Sequence, residues 1–279
     1  MNQVQQAVHS PHSLILHTYN NLYMINFMIG FNNLGRYGRL GNQMFQYAGI
    51  KGISAKHNYE WTIPHSDFKH PYYDHQLFQI FKLSSLKTIQ NVPEDYPLIV
   101  ESLEGFDDRL FNCCPDNINL LGYFQNEKYF KHIENEIRND FEFKDSIFQK
   151  CNNIIEKLGK RISLHIRRND YLLTQDELSM NYYYEALQHF DEEDKVIIFT
   201  DDIKWCNEQE LFQSDRFFIS PITNNYIDLC LMTLCSGHIV ANSSFSWWGA
   251  WLSNSKKVVS PSKWFGGGTP PFLKDWIQI

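Results

Sequence analysis

Ile162-Ser163-Leu164-His165-Ile166-Arg167-Arg168-Asn169-Asp170 opens the part of the chain whose pattern decides the fold. Ile162 to Ile166 is apolar enough for a buried strand, and the run then breaks abruptly into charge. The theme repeats downstream. A helical period from Tyr182 to Phe190 leads to a strand run at Val196 to Phe199, and a Trp205 to Leu211 helix leads to another at Phe217 to Ile219. A Tyr226 to Cys235 helix, a His238 to Ala241 strand, an aromatic Ser246 to Leu252 helix and the Val258-Val259 strand complete the series. Such alternation predicts an α/β fold: a parallel sheet with helices on both faces. Ligands of open parallel sheets bind beyond the carboxyl ends of the strands, so the residues that follow each strand carry the functional reading.

Toward the amino terminus, Met24 to Phe31 reads as a buried strand that ends in the turn formers Asn32, Asn33 and Gly35. After the Gly41-Asn42 start, Phe45, Ala48, Gly52 and Ala55 recur at helical spacing, giving half of a βαβ unit. Glu60 to Asn119 is irregular, with strand candidates at Glu60 to Ile63 and Leu98 to Val100. Two amphipathic helices are expected next, one carrying Tyr129, Ile133 and Ile137 on a face, the other carrying Ile147, Cys151, Ile154, Ile155 and Leu158 and stopped by Gly159. The pair marks a domain boundary, which divides the chain into an extension (1–23), an amino-terminal domain (24–158) and a carboxyl-terminal domain (159–279). Residues 1–23 are expected to be poorly ordered.

Composition excludes several classes of function. The 279 residues are 43% hydrophobic, enough for a sizeable core, and a net charge of −7 argues against a nucleic-acid partner held by the overall field. An anionic ligand must therefore meet a local basic site. The six cysteines have neither zinc-ribbon spacing nor the density of a disulfide scaffold, and Cys230 and Cys235 lie in an apolar run where they fill core. Residues 1–35 carry no Lys, Arg, Asp or Glu, yet His17, Thr18, Asn20, Asn21 and Asn26 interrupt the stretch and preclude a spanning helix. No basic segment precedes it as in a secretory signal, so a cytoplasmic enzyme is expected.

Three strand ends carry chemistry. Arg167 and Arg168 put two guanidinium forks where the sheet binds its ligand, suited to a diphosphate whose charge grows as it leaves. Strand alternation puts His165 and Arg167 on one face and turns Arg168 elsewhere; a surface ion pair of Arg168 with Asp170 is the structural alternative. At the second strand end, Asp201-Asp202 lacks the Asp-x-Asp spacing of metal-dependent sugar-nucleotide enzymes, so no metal is expected. Asp202 can cap the following helix, and Asp201 can orient a basic group. At the third, Asn242-Ser243-Ser244 opens a helix whose free N–H groups and dipole favour an anion opposite the arginines. Trp247, Trp248 and Trp251 read as helix packing rather than a sugar platform. The Gly38 to Gln43 loop lacks the Gly-Lys-Ser/Thr of a P-loop.

These residues resemble the α-1,2-fucosyltransferases of glycosyltransferase family eleven. Gly41-Asn42-Gln43-Met44-Phe45-Gln46-Tyr47-Ala48 is similar to the family's amino-terminal signature, and His165 to Asp170 to its His-x-Arg-Arg-x-Asp motif. Leu121 to Gln125, Thr200 to Asp202, Asp228-Leu229, Asn242 to Trp251 and Pro261 to Phe265 follow in the family's order. The resemblance implies a GT-B-like fold of two Rossmann-like domains, GDP-β-L-fucose as donor, a glycan acceptor, inversion at the anomeric carbon, and no cofactor or metal. It places Arg167 on the donor's β-phosphate, His165 and Asp228 near guanine, and Ser243 or Ser244 on phosphate. Gly41, Asn42, Gln43, Arg168 and Asp201 join the substrate-binding set. One departure is the lengthened loop Asn32 to Arg39, where Tyr37-Gly38-Arg39 replaces the family's Gly-Gly. The segment Met1 to Tyr23 has no recognised counterpart.

The expected reaction is in-line displacement, with Arg167 and the Ser243-Ser244 helix end stabilising the departing GDP and Asp170 as candidate general base. A same-fold enzyme with another acceptor, such as a protein O-fucosyltransferase, is the nearest rival. A noncatalytic carbohydrate-binding module is another, but mere binding gives no reason for a guanidinium pair at a strand end.

Overall fold

The computed structural model describes residues 27–64, 76–87, 89–102, 105–222, 224–253 and 255–279. The expected extension 1–23 and the first residues of the expected Met24 to Phe31 strand lie outside the described residues. Among those described, the strands β1 (Met28–Gly30), β2 (Glu60–Thr62), β3 (Leu98–Val100) and β4 (Ile118–Leu121) form a parallel sheet ordered β2-β1-β4-β3. A second parallel sheet, ordered β10-β9-β8-β5-β6-β7, contains β5 (Ile162–Ile166), β6 (Val196–Thr200), β7 (Phe217–Ile219), β8 (Gly237–Ile239), β9 (Val258–Ser260) and β10 (Ile277–Gln278).

The helices are α1 (Leu40–His57), α2 (Leu77–Ile80), α3 (Asp108–Cys113), α4 (Glu134–Asp140), α5 (Asp145–Leu158), α6 (Tyr171–Thr174), α7 (Met180–Leu187), α8 (Ile203–Glu208), α9 (Asn225–Thr233) and α10 (Ser244–Ser253). None of the described helices is long and apolar enough to cross a membrane.

One of the two sheets reverses its winding in the middle. In the second, β5 runs on to β6 and β7 on one side, whereas β8, β9 and β10 build outward on the other. The switch between β5 and β8 opens a crevice at their carboxyl ends, because the connections there leave in opposite directions. In the first sheet β1 leads outward to β2, and the chain then crosses to the far edge at β3 and returns inward to β4.

α1 is buried on more than the one face marked by the spacing of Phe45, Ala48, Gly52 and Ala55. Most of its length is buried, including Lys51 and the polar Gln43, Gln46 and Ser54. It has close neighbours on several sides, with the β4 turn and the Tyr129-Phe130 segment on one and α10 on another. The glycines make this possible: a Cβ on Gly49 would lie 2.5 Å from the Phe124 side chain, and one on Gly52 would lie 1.9 Å from the Tyr129 carbonyl oxygen. Lys51 keeps its charge inside by meeting the buried Asp140 at 2.8 Å, and Tyr47 and Ser85 donate to the same carboxylate. Breaking one half of such a pair leaves an uncompensated buried charge.

The two sheets share apolar packing. Phe45 of α1 lies 4.6 Å and 4.9 Å (ring centroids) from Trp247 and Trp248 of α10, and Phe130 stacks on Trp248 at 5.4 Å. The tryptophans are therefore packing residues, as expected, and they pack between the halves. α5 lies against α9, where the buried Cys151 thiol meets the Ile227 carbonyl. The expected helix carrying Tyr129, Ile133 and Ile137 is a correction: Glu127–Tyr129 and Lys131–Ile133 are single 3₁₀ turns, and regular helix begins only at Glu134. Tyr129 and Phe130 are both fully buried at the break between these turns.

Gly52→Ala is expected to destabilise the protein by about 1–3 kcal/mol or more, since the added carbon meets backbone rather than a movable side chain. Thermal unfolding checks this; a melting temperature equal to wild type would show that α1 can shift away from Tyr129.

Candidate active site

The carboxyl ends of both sheets face one cleft of about 820 Å³. The second sheet supplies Arg167 after β5, Asp201 after β6, Ser243 and Ser244 after β8, and Asp228 from α9. The first supplies Gly38 and Arg39 before α1, the first residues of α1 from Leu40 to Asn42, Glu101 after β3, and Tyr123 and Gln125 after β4.

Arg167 is held between two carboxylates, with one terminal nitrogen 2.6 Å from Asp170 and the other 2.6 Å from Asp201. Asp201 also accepts the Arg168 backbone N–H at 2.9 Å, so one carboxylate fixes both the guanidinium and the loop that carries it. The pairing keeps the Asp170 carboxyl below the usual range despite partial burial, and Arg39 lies 3.9 Å away on its other side. A carboxylate held ionised by a cation accepts a proton poorly, so this geometry favours Asp170 as an orienting group over the base role expected from sequence.

Strand alternation sorts the arginine pair as expected. Arg168 turns away from the cleft lining, stacks on Trp205 at 3.9 Å and meets Asp202 at 3.2 Å. Its place in the expected substrate-binding set is corrected on that ground; its partner is Asp202 and not Asp170. Asp202 also caps α8 by accepting the Trp205 N–H. Gln43 is a second correction. It is buried in α1, where its side-chain oxygen accepts the Gln76 N–H, and it does not line the cleft.

His165 shares the face of Arg167, with its Nδ1 2.9 Å from the Ser246 hydroxyl. Burial, aided by the nearby guanidinium, lowers its pKa to about 3, so it is neutral at physiological pH and offers hydrogen bonds rather than charge. Asp228 shows the opposite effect: burial pushes its carboxyl up to about 7, and the Ser220 hydroxyl at 3.3 Å offsets this only in part.

α10 begins at Ser244 on the cleft wall. The Ser244 hydroxyl is already committed, donating to Asn42 Oδ1 at 2.7 Å across the two halves. Gln125 donates to the same oxygen at 2.8 Å and accepts the Trp264 indole N–H at 3.0 Å. Gly41 lies against the start of α10, where a Cβ would come within 2.6 Å of the Phe245 nitrogen, and its carbonyl accepts the Trp248 indole N–H. Gly41 and Asn42 thus join the halves at the floor of the cleft. Among the described residues, no three His, Cys, Asp or Glu gather where they could hold a metal ion.

Sequence reasoning missed Arg39, Glu101 and Trp264 as site residues. Arg39 and Trp264 lie within stretches already quoted, but Glu101 lies in the irregular region and no local pattern marks it.

A family model described as glycosyl transferase family 11 matches residues 3–276, so it reaches into the segment for which the motifs suggested no counterpart. An α-1,2-colitosyltransferase of Escherichia coli is 29% identical over 281 residues, covering 87% of this chain and 96% of that protein. A galactoside α-(1,2)-fucosyltransferase 1 of Leontocebus fuscicollis is 23% identical over 276 residues, covering 87% and 73%. Among solved structures, the NodZ α-1,6-fucosyltransferase of Bradyrhizobium, soaked with GDP-fucose, superposes with a TM-score of 0.57 at 12% identity over 84% of this chain and 94% of that one. This last likeness shows the fold, a GT-B-like arrangement of two parallel-sheet units.

Asp228 yields a pH prediction. Its folded pKa of about 7 lies above its ordinary 3.8, so the folded state binds the proton more tightly, and this stabilisation is lost as pH rises from about 4 to 7. Asp228→Asn removes the dependence, and its melting temperature should gain on wild type across that window and level off above it. A constant difference from pH 4.5 to 8 would show that Asp228 ionises normally.

Proposed function

The chain belongs to glycosyl transferase family 11, and from that premise we propose that it transfers L-fucose from GDP-β-L-fucose to a sugar hydroxyl. The acceptor position proposed is the 2-OH of a galactoside, giving an α-1,2 linkage with inversion. The observation that carries this reading is Arg167, held by Asp170 and Asp201 at the sheet's switch point and lining one cleft with the amino-terminal end of α10. A preset guanidinium and a helix amino terminus suit a diphosphate leaving group, because both oppose the charge that develops as the sugar–phosphate bond breaks.

In this reading the acceptor oxygen attacks the anomeric carbon, the carbon–oxygen bond to the β-phosphate breaks, and GDP departs with the electron pair. Arg167 stabilises the departing oxygen without reorganising, since its two carboxylates already fix its plane. His165 and Asp228 are assigned to the nucleoside end, Ser243 to phosphate, and Asn42 and Gly41 to the floor between donor and acceptor. The fixed cation and helix end make a metal unnecessary. The cytoplasm is the compartment proposed, where the six unpaired cysteines remain reduced. A second reading, with colitose as the transferred sugar, is favoured by the similarity to the E. coli colitosyltransferase over nearly its full length.

A panel of galactoside acceptors with GDP-fucose and GDP-colitose, run in excess EDTA and scored for GDP release and product linkage, tests these readings. Transfer of fucose to a 2-OH is the expected outcome. Preference for colitose would favour the second reading, and loss of turnover restored by Mg²⁺ or Mn²⁺ would refute metal independence.

Arg167→Lys keeps the charge but loses the planar fork that meets two carboxylates and a phosphate at once. We expect kcat to fall by about a hundredfold, roughly the cost of losing one donor to developing charge. Arg168→Lys, with its side chain on Trp205 outside the cleft lining, should remain within about tenfold of wild type. Steady-state kinetics on folded variants decides, and the reverse ranking would mean that the clamp has been assigned to the wrong guanidinium.

A further inference from the structure

The proposed displacement needs a group to take the acceptor proton, and the geometry restricts where that group sits. The leaving phosphate is assigned to Arg167 and the start of α10, both on the second-sheet wall of the cleft. In an inverting displacement the nucleophile approaches from the opposite side of the anomeric carbon, so its proton must be removed from the first-sheet wall. Among the described residues four carboxylates line the cleft: Glu101, Asp170, Asp201 and Asp228. Three belong to the second sheet's half, and two of those are engaged with Arg167 at 2.6 Å. Among the described residues, Glu101 alone brings a carboxylate from the opposite wall.

Its placement is specific. Glu101 directly follows β3, at the carboxyl end of a parallel strand. Its Oε2 accepts the backbone N–H groups of Tyr123 and Phe124 at 2.8 and 2.7 Å, and the Tyr129 hydroxyl lies within hydrogen-bond reach. The turn that receives it is shaped to do so: a Cβ on Gly122 would lie 2.5 Å from the Glu101 side chain, and Phe124 takes a left-handed φ of 52°. No described Lys, Arg or His forms an ion pair with it, in contrast to Asp170 and Asp201. The same turn presents Tyr123, 41% exposed, to the cleft.

Resting on the transferase reading above, we propose that Glu101 is the general base, taking the proton of the attacking acceptor hydroxyl from the wall opposite Arg167. The bond from the acceptor oxygen to the anomeric carbon forms as the carbon–phosphate-oxygen bond breaks. The hydroxyl proton passes to the Glu101 carboxylate, and the electron pair leaves on GDP. Burial, with the negative charge of Asp107 adding, pushes the carboxyl up to about 7, while the Tyr123 and Phe124 N–H groups and Tyr129 hold it down. A base poised near working pH is the efficient one.

The test uses the full chain, comparing wild type with Glu101→Gln, whose amide oxygen can still accept the two N–H groups. GDP affinity, measured by calorimetry, should stay within about twofold, whereas kcat should fall by about a hundredfold or more. The acid limb of the wild-type kcat/KM profile, centred near pH 7, should vanish. A kcat within tenfold of wild type would overturn the assignment, as would an equal loss at every pH with the limb retained, since that is what a turn-holding role alone produces. Should Glu101→Gln fail to fold, Asp107→Asn, which keeps a capping oxygen for α3, decides: removing that negative charge should move the acid limb to lower pH, and an unmoved limb overturns the proposal. Absence of any transfer by wild type would sink the transferase reading itself and this one with it, an outcome distinct from an active Glu101→Gln.

Discussion

The contact between the start of α1 and the start of α10 is the constraint on which the site depends. Gly41 lies against the Ser244-Phe245 backbone with no space for a side chain, and Trp248 closes the contact by donating to the Gly41 carbonyl. Two helix amino termini are thereby held side by side, each at the carboxyl end of its own sheet. That junction turns two separate crevices into one cleft. Behind it, Phe45, Phe130, Trp247 and Trp248 form an aromatic layer shared by both halves. Aromatic rings bury large areas with few rotamers, so such a layer fixes geometry as well as contributing stability.

Charge is distributed unevenly across that cleft. The net charge of −7 would repel an anionic donor, yet the second-sheet wall concentrates a guanidinium and a helix amino terminus. Arg167 is balanced by two carboxylates, which orient it and limit its cost when the site is empty. The first-sheet wall, by comparison, holds the Glu101 carboxylate, which pairs with no cation among the described residues. Buried neutral groups complete the site: His165 is kept uncharged by burial, so it adds hydrogen-bond specificity without competing with Arg167 for phosphate.

Much of the second sheet was legible because each buried parallel strand is a short apolar run, and each run from Ile162 to Ile219 ends in a recognisable break. The separation of Arg167 from Arg168 was legible for a simpler reason, since alternation along a strand is a local rule. Local rules failed where burial came from distant chain. Gln43 looked like a loop residue facing ligand and instead bonds to Gln76 inside the fold. Tyr129 and Ile133 matched a helical period, but the segment forms two 3₁₀ turns with the Tyr129 carbonyl set against Gly52 of α1. Ser244 carried the composition of an anion site, yet its hydroxyl is occupied by Asn42, 202 residues away in sequence.

The sequence by itself determined the α/β class, the parallel second sheet, the strand-end placement of His165, Arg167, Asp201 and Ser243, and the family, because those features are written in short periods and contiguous motifs. Tertiary structure alone decided the strand orders, and with them the switch point between β5 and β8. It also decided which carboxylates are neutralised and which are not. Asp170, Asp201, Asp228 and Glu101 are chemically alike in the chain, and only the distances to Arg167 and the depth of burial make them different. Glu101 shows the physical reason most clearly: its character comes from backbone N–H groups 22 and 23 residues downstream and from a cleft wall built by another strand, none of which leaves a mark near position 101.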